Sequence, residues 1–178
     1  YGQEFDRQCL IADDDPFKGA MNMTHAEKHT TSSADIAQLS YLDFRAAELK
    51  VEPEERKYCK WFMNETVLNH ITNIRDNNGN PIWRKPWEGM PGRLDGYDVI
   101  ESRLLPQFAD IEADTLFAIF MNPKRIIHGN RKGIEIKRFD ETTESLEYGE
   151  LFMRFRKRDG FLVTRPKKNM VILSTADA

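Results

Sequence analysis

The sequence predicts an α+β fold, and three patterns carry that prediction. Helical apolar spacing and short apolar runs fill the chain up to Met121, and longer alternating segments come after it. The run Thr115-Leu116-Phe117-Ala118-Ile119-Phe120-Met121 is continuously apolar, as in a strand covered on both faces. Gly133 to Phe139 and Leu151 to Arg158 instead alternate with the period of half-exposed strands. A doubly wound enzyme would interleave helices and strands throughout.

Composition bounds the function classes. A chain of 178 residues, 40% hydrophobic and 31% charged, can bury one core or two small ones, and it has no apolar run long enough to cross a bilayer. A net charge of -3 gives no long-range attraction to nucleic acid or acidic lipid by itself. Cys9 and Cys59 stand far apart with no Cys-x-x-Cys spacing, which points to neither a zinc site nor a disulfide framework and makes a reducing compartment the default. Tyr1 to Arg7 lack the apolar segment of a signal peptide.

Taken in order, Phe5, Cys9 and Leu10 fall at helical spacing and read as the tail end of a helix, stopped by Ala12-Asp13-Asp14-Asp15-Pro16. The aspartates suit a hard cation in type, but no further ligands lie nearby, so a solvated turn is the expectation. Residues 18–31 read as loop. His25 and His29 have the spacing of zinc-binding helices but no helical apolar face and no accompanying glutamate.

Ser32 and Asp35 form a capping-box pattern, and Ile36, Leu39, Leu42, Ala46 and Leu49 then mark the buried stripe of one helix. After Glu52-Pro53-Glu54-Glu55-Arg56 comes a short strand, Tyr58 to Met63. The next helix takes Asn64 as N-cap and buries Val67, Leu68, Ile71 and Ile74, with His70 at the edge of the stripe. A long connection, 76–96, then leads to a strand at Tyr97 to Ile100. Its two tryptophans and several prolines argue for contact and against disorder.

Arg125 to Gly129 form a second short apolar burst, and the acidic segment 140–145 reads as a loop or hairpin tip. In the strand after it, Leu151, Met153 and Phe155 share a face that the pattern turns toward a core. Asp159-Gly160 reads as a tight turn, and Phe161-Leu162-Val163 and Met170 to Leu173 close the chain.

The search for chemistry is negative. No phosphate loop, dinucleotide glycine signature, nucleophile elbow or His-Glu-x-x-His occurs. Gly89, Gly92 and Gly96 lead from a loop into a strand, whereas a phosphate site needs amides at a helix start. Cys59 sits in an apolar stretch where burial makes a thiol inert. The expectation is therefore no enzyme, no cofactor and no metal. Arg154, Arg156 and Arg158 lie on one face of a strand, with Lys157 between the last two and Arg165, Lys167 and Lys168 further on. Basic residues interleaved with aromatics can bind nucleic acid. With Phe155 turned inward, the arginines are expected to form a solvated or intersubunit face instead.

The order of segments resembles the major capsid proteins of tailed phages, the Hong Kong 97-type fold. The resemblance rests on Trp61-Phe62-Met63-Asn64 and the helix after it, Arg75-Asp76-Asn77-Asn78-Gly79-Asn80-Pro81-Ile82-Trp83, and Pro91-Gly92-Arg93-Leu94-Asp95-Gly96-Tyr97-Asp98-Val99-Ile100-Glu101-Ser102. Each motif alone is weak, but their order and spacing are specific, and the match extends from about Phe5 to Thr175. It implies an axial domain at 30–122 closed by 161–178, and peripheral strands at 123–160 joined by a spine-helix remnant and connecting loop at 1–29. Asp159-Gly160 becomes a crossing between domains.

The resemblance further implies a subunit of pentamers and hexamers that close an icosahedral head, located in the virion after assembly in the bacterial cytoplasm. Packaged double-stranded DNA would be held non-specifically, with scaffold, protease and portal proteins as assembly partners and no membrane. Encapsulin-type compartments share the fold. Trp83, Arg84, Lys85 and Trp87 become candidates for contacts around a capsomer, since Trp and Arg dominate many interfaces. Tyr1 would fall inside the spine helix, so the arm and extended loop of the family are expected upstream, and a fragment without them should assemble poorly. The lysine–asparagine crosslink of some relatives is not expected: the aligned position falls near Gly149, and the lysine-bearing loop is absent.

Overall fold

The computed structural model describes residues 2–13, 17–75, 78–86, 92–139 and 152–177. They divide into two compact units, one of residues 1–126 with 163–178 and one of residues 127–162.

The first unit is built on a seven-stranded mixed sheet. In chain order its strands are β1 (Glu27–Thr30), β2 (Lys60–Met63), β3 (Trp83–Arg84), β4 (Arg93–Leu94), β5 (Tyr97–Glu101), β6 (Leu116–Met121) and β9 (Met170–Ser174). In space the order is β1-β9-β6-β2-β5-β4-β3. β1 runs parallel to β9 and β2 parallel to β5, while the other pairs are antiparallel. The apolar run at Thr115 to Met121 is explained by its place: β6 lies between β9 and β2, and Phe117 to Met121 are all buried.

One face of the sheet carries Trp61, Met63, Val99, Ala118, Phe120, Val171 and Leu173. Helices α2 (Tyr41–Lys50) and α4 (Glu65–Ile71) supply Phe44, Ala47, Val67, Leu68 and Ile71 to the same core. Phe44 meets Trp61 edge-on with centroids 5.5 Å apart, Trp61 lies 4.7 Å from Phe120, and Phe120 meets Tyr97 at 4.9 Å. Contacts of this kind add about 0.5–1.5 kcal/mol each beyond area burial. The alternate residues Ile119 and Ile172 face the other way, and the 3-10 turn Ala20–Asn22 packs on β6. Helix α1 (Gly2–Ile11) is tied to that turn by Asn22, whose Nδ2 donates to the Ile11 and Ala12 carbonyls at 3.1 and 3.3 Å. Gly19 permits the approach, because a Cβ there would stand 2.7 Å from Ala12 N.

Several expectations are corrected. The predicted helix from Ser32 is two elements. Asp35 caps a single 3-10 turn, Ile36–Gln38, and a second start at Ser40, with a capping box to Asp43, opens α2. The restart resets the helical phase. Asp43, Phe44, Ala47 and Glu48 are therefore buried, while Leu42 and Leu49 stand 57% exposed, opposite to the predicted stripe. Residues 18–31 are not all loop, since His29 lies on β1. The strand expected at Tyr58 begins at Lys60, because Pro53–Arg56 forms one helical turn, α3, and leaves Tyr58 on the surface. The connection 76–96 is not without structure, since β3 and β4 pair within it.

In the second unit β7 (Ile126–Phe139) pairs with β8 (Phe152–Val163) as a two-stranded ribbon. The two bursts at Arg125 to Gly129 and Gly133 to Phe139 belong to one strand. Asp159-Gly160 is not a turn but continuous strand. Lys157 and His128 reach the Asp159 carboxylate at 2.8 and 3.3 Å. Met153, expected to face a core, is 54% exposed, and Ile134 and Ile136 are 69% and 59% exposed. Among the described residues of this unit the ribbon is two-stranded, and no further element of the unit covers them. The side chain of Phe155 and the acidic segment 140–145 lie outside the described residues. The chain leaves the first unit at Ile126 and re-enters at Val163; helical turn α5 (Pro166–Asn169) then leads into β9.

Candidate functional site

The predicted contact residues fall into two groups. Trp83, Arg84 and Lys85 lie on or next to β3, and Trp87 lies outside the described residues. Arg154, Arg156 and Arg158 lie on β8 in the second unit and are exposed.

The β3 region begins where α4 ends. Asn64 caps α4 by accepting from the Thr66 N–H at 3.0 Å, and its own Nδ2 donates to the Leu105 carbonyl at 2.8 Å. After the helix, Arg75 and Pro81 form an isolated bridge, and the Ile82 N–H points to the Ile74 carbonyl at 3.5 Å. Trp83 is half-buried against the core, its ring filling the space over Gly92, where an added Cβ would come within 2.0 Å of the indole. Gly92 is required there by close approach and not by its backbone angles. Arg84 and Lys85 are exposed. Arg84 faces Arg93 across the ladder, a like-charge pairing that costs stability unless relieved. Asp98 relieves it: its carboxylate takes Arg93 Nε at 3.1 Å and Lys60 Nζ at 3.2 Å, and these partners overcome partial burial to hold it below the usual carboxylate range.

β4 and β5 are joined by the two-residue turn Asp95-Gly96, with φ of 47° and 90°. Both central residues are left-handed, as a type I′ hairpin requires. The turn sits on α2. Tyr41 Oη donates to Asp95 Oδ2 at 3.4 Å, and Arg45 Nη1 reaches the same oxygen at 3.4 Å and Glu48 Oε2 at 3.1 Å. Tyr41, Ile82, Arg84, Asp95 and Gly96 line a groove of about 570 Å³ beside it. Glu48 is fully buried, and burial, with Asp95 nearby, raises its pKa to about 8 against the pull of Arg45.

This acid cluster escapes sequence reading, because the predicted stripe of α2 left Glu48 facing solvent. The Asp95-Gly96 dipeptide is the one signal that could have revealed the hairpin.

The remaining candidates fall elsewhere. His70 stacks on Phe108 at 4.9 Å, and its Nε2 meets the Ala37 carbonyl at 3.2 Å, a structural role at the core edge. Cys59 is buried, and burial pushes its thiol up to about 12, which leaves it unreactive. His29 is held below its usual pKa by burial and by Lys50. Among the described residues, no group of His, Cys, Asp or Glu is placed to hold a metal, and no helix is long and apolar enough to cross a membrane. Asp14, Asp15 and Gly149 lie outside the described residues.

The model of the phage capsid family matches residues 1–172. Among solved structures, the capsid of an empty GTA particle, computed with C5 symmetry, matches with a TM-score of 0.72 at 16% identity, over 98% of this chain and 62% of that one. A chain from Gordonia phage Cozz matches with a TM-score of 0.62 at 12% identity, over 99% and 61%. The holo-SrpI encapsulin complex from Synechococcus elongatus matches with a TM-score of 0.57 at 10% identity, over 99% and 61%. Each of these chains is longer, so the present chain spans only part of its relatives. No curated protein matches the sequence.

Proposed function

The chain belongs to the phage capsid family, and from that premise we propose that it is a structural subunit of an icosahedral shell, acting through extended contacts between copies. The observation that carries the reading is the family match over 1–172, supported by a shared fold along nearly the whole chain with the capsid of a GTA particle. Nothing in the reading calls for catalysis. The virion is its place, and double-stranded DNA is the enclosed cargo, held without sequence preference. Scaffold, protease and portal proteins are the expected assembly partners.

Within this reading, residues 30–122 and 161–178 form the axial domain, and residues 123–160 the peripheral strands, with 1–29 as part of the spine helix and its connecting loop. The exposed Arg84 and Lys85, beside the half-buried Trp83, present a cationic edge at the hairpin. With Trp87 they are proposed to meet a neighbouring subunit around the capsomer. Arg154, Arg156 and Arg158 offer a second such surface.

Electron microscopy of the full-length protein tests the assignment. Closed shells are expected, and Arg84→Glu with Lys85→Glu should reduce their yield while leaving the subunit folded. A full-length protein that forms no shells under any tested condition overturns the reading. Filter binding across a salt series tests the competing use of β8. Tight binding to duplex DNA with a steep salt slope, lost in Arg154→Ala and Arg156→Ala, would make that strand a nucleic-acid surface instead.

A further inference from the structure

The β3–β4–β5 hairpin, which carries Trp83 and Arg84, is anchored to α2 through few polar contacts. Among the described residues, those at the Asp95-Gly96 turn pass through one carboxylate: Asp95 Oδ2 takes both Tyr41 Oη and Arg45 Nη1, each at 3.4 Å. The same Arg45 nitrogen also serves Glu48 Oε2, at 3.1 Å. Two carboxylates therefore share one guanidinium nitrogen, one on the partly exposed turn and one fully buried on the helix.

We propose that Glu48, Arg45 and Asp95 form a proton-controlled clasp that sets how firmly the hairpin is held to α2. The proposal rests on the reading of the hairpin as an intersubunit surface and names what would regulate it. With Glu48 neutral, Arg45 is free to pair with the Asp95 carboxylate and the turn is held. When Glu48 ionises, it draws Arg45 toward itself and places a second negative charge beside Asp95, so the clasp loosens.

The surroundings of Glu48 make the neutral form accessible. Among the described residues its Oε1 has no hydrogen-bond partner, and neither does the buried Trp61 Nε1. Trp61 nevertheless lies close enough to favour the ionised carboxylate weakly. Among the described residues, the charged and titratable groups facing Glu48 are Arg45 and Tyr41 from its own helix and Asp95 and Tyr97 from the hairpin; Arg56 and Cys59 act on Tyr97 from α3 and from the residue before β2. Burial followed by Asp95 raises Tyr41, and burial followed by Glu48 raises Tyr97, so neither phenol competes for protons in the range where Glu48 titrates. Burial places that range near pH 8, within reach of ordinary cellular and buffer conditions.

The readout is the Asp95 amide, which donates to the Ile82 carbonyl at 3.1 Å and so reports on the turn itself. Amide exchange is followed by NMR on the unassembled 178-residue chain at pH 6.5 and 9, corrected for base catalysis of the intrinsic rate. Protection at Asp95 should fall about fivefold or more in the wild type, a typical size for coupling between sites. It should stay high at both pH values in Glu48→Gln and low at both in Asp95→Asn, which keeps a residue tolerant of the left-handed turn. An equal fall in Glu48→Gln, or none in the wild type, overturns the clasp. If Glu48→Gln does not fold, the ¹³C carboxyl titration of Glu48 in the wild type decides, and a midpoint in the usual carboxylate range overturns it. These measurements need no assembly. Failure of the clasp is thus distinct from failure of the shell reading, which only microscopy of particles can overturn.

Discussion

At Glu48 a single ionisable group inside the core should leave a signature in stability as well as in local motion. Its folded pKa is raised from 4.5 to about 8, so the unfolded chain ionises first as pH rises. Stability from this group is fully present below about pH 4.5 and is lost as pH climbs through 8, the unfolded state binding fewer protons throughout that window. Glu48→Gln should therefore be on the order of a few kcal/mol more stable than the wild type at pH 8.5 and nearly equal to it at pH 4.5, read as urea midpoints. A variant less stable at pH 8.5 would mean that the ion pair with Arg45 outweighs burial. Single residues also show what sequence can and cannot reveal. Asn64 as an N-cap and the inert Cys59 were legible, because each depends on local chemistry or on an apolar neighbourhood. The Glu48–Arg45–Asp95 cluster was not, because Asp95 is brought to the helix by strands β3 and β4 of two residues each, too short to show any periodicity.

The phase of α2 is the clearest lesson at the level of elements. Ile36, Leu39, Leu42, Ala46 and Leu49 fit one continuous helix by spacing alone, yet the extended backbone at Leu39 and Ser40 interrupts it and rotates the turns of α2 relative to the first. The burial of Phe44 and the exposure of Leu42 and Leu49 give a direct comparison. Phe44→Ala should cost about 3–5 kcal/mol, whereas Leu42→Lys and Leu49→Lys should each stay within about 0.5 kcal/mol. Denaturant midpoints of the three variants check this, and a large loss in Leu49→Lys would place that residue in the core after all. Strands β6 and β9 were legible for the converse reason. Each is enclosed by neighbours on both sides, so its sequence is apolar without interruption and no phase has to be guessed.

At the scale of the whole molecule, the α+β class could be read from segment order, but the strand order could not. Pairings such as β1 with β9 and β2 with β6 join residues distant along the chain, and no local pattern encodes which apolar run lies beside which. The resemblance carried by 61–64, 75–83 and 91–102 supplied an expectation that pattern reading lacked. The sheet also holds a consequence for synthesis. β9, made after every other described strand of the sheet, lies between β1 and β6 and joins them. Until Met170 to Ser174 leave the ribosome, β1 has no partner and β6 has an open edge. Long-range closure of this kind slows folding and prolongs exposure of unpaired strands. Stalled nascent chains ending before Met170 should therefore be digested readily by protease, while chains that extend past the exit tunnel beyond Ser174 should resist it. Equal resistance in the shorter chains would show that the rest of the sheet stands without β9.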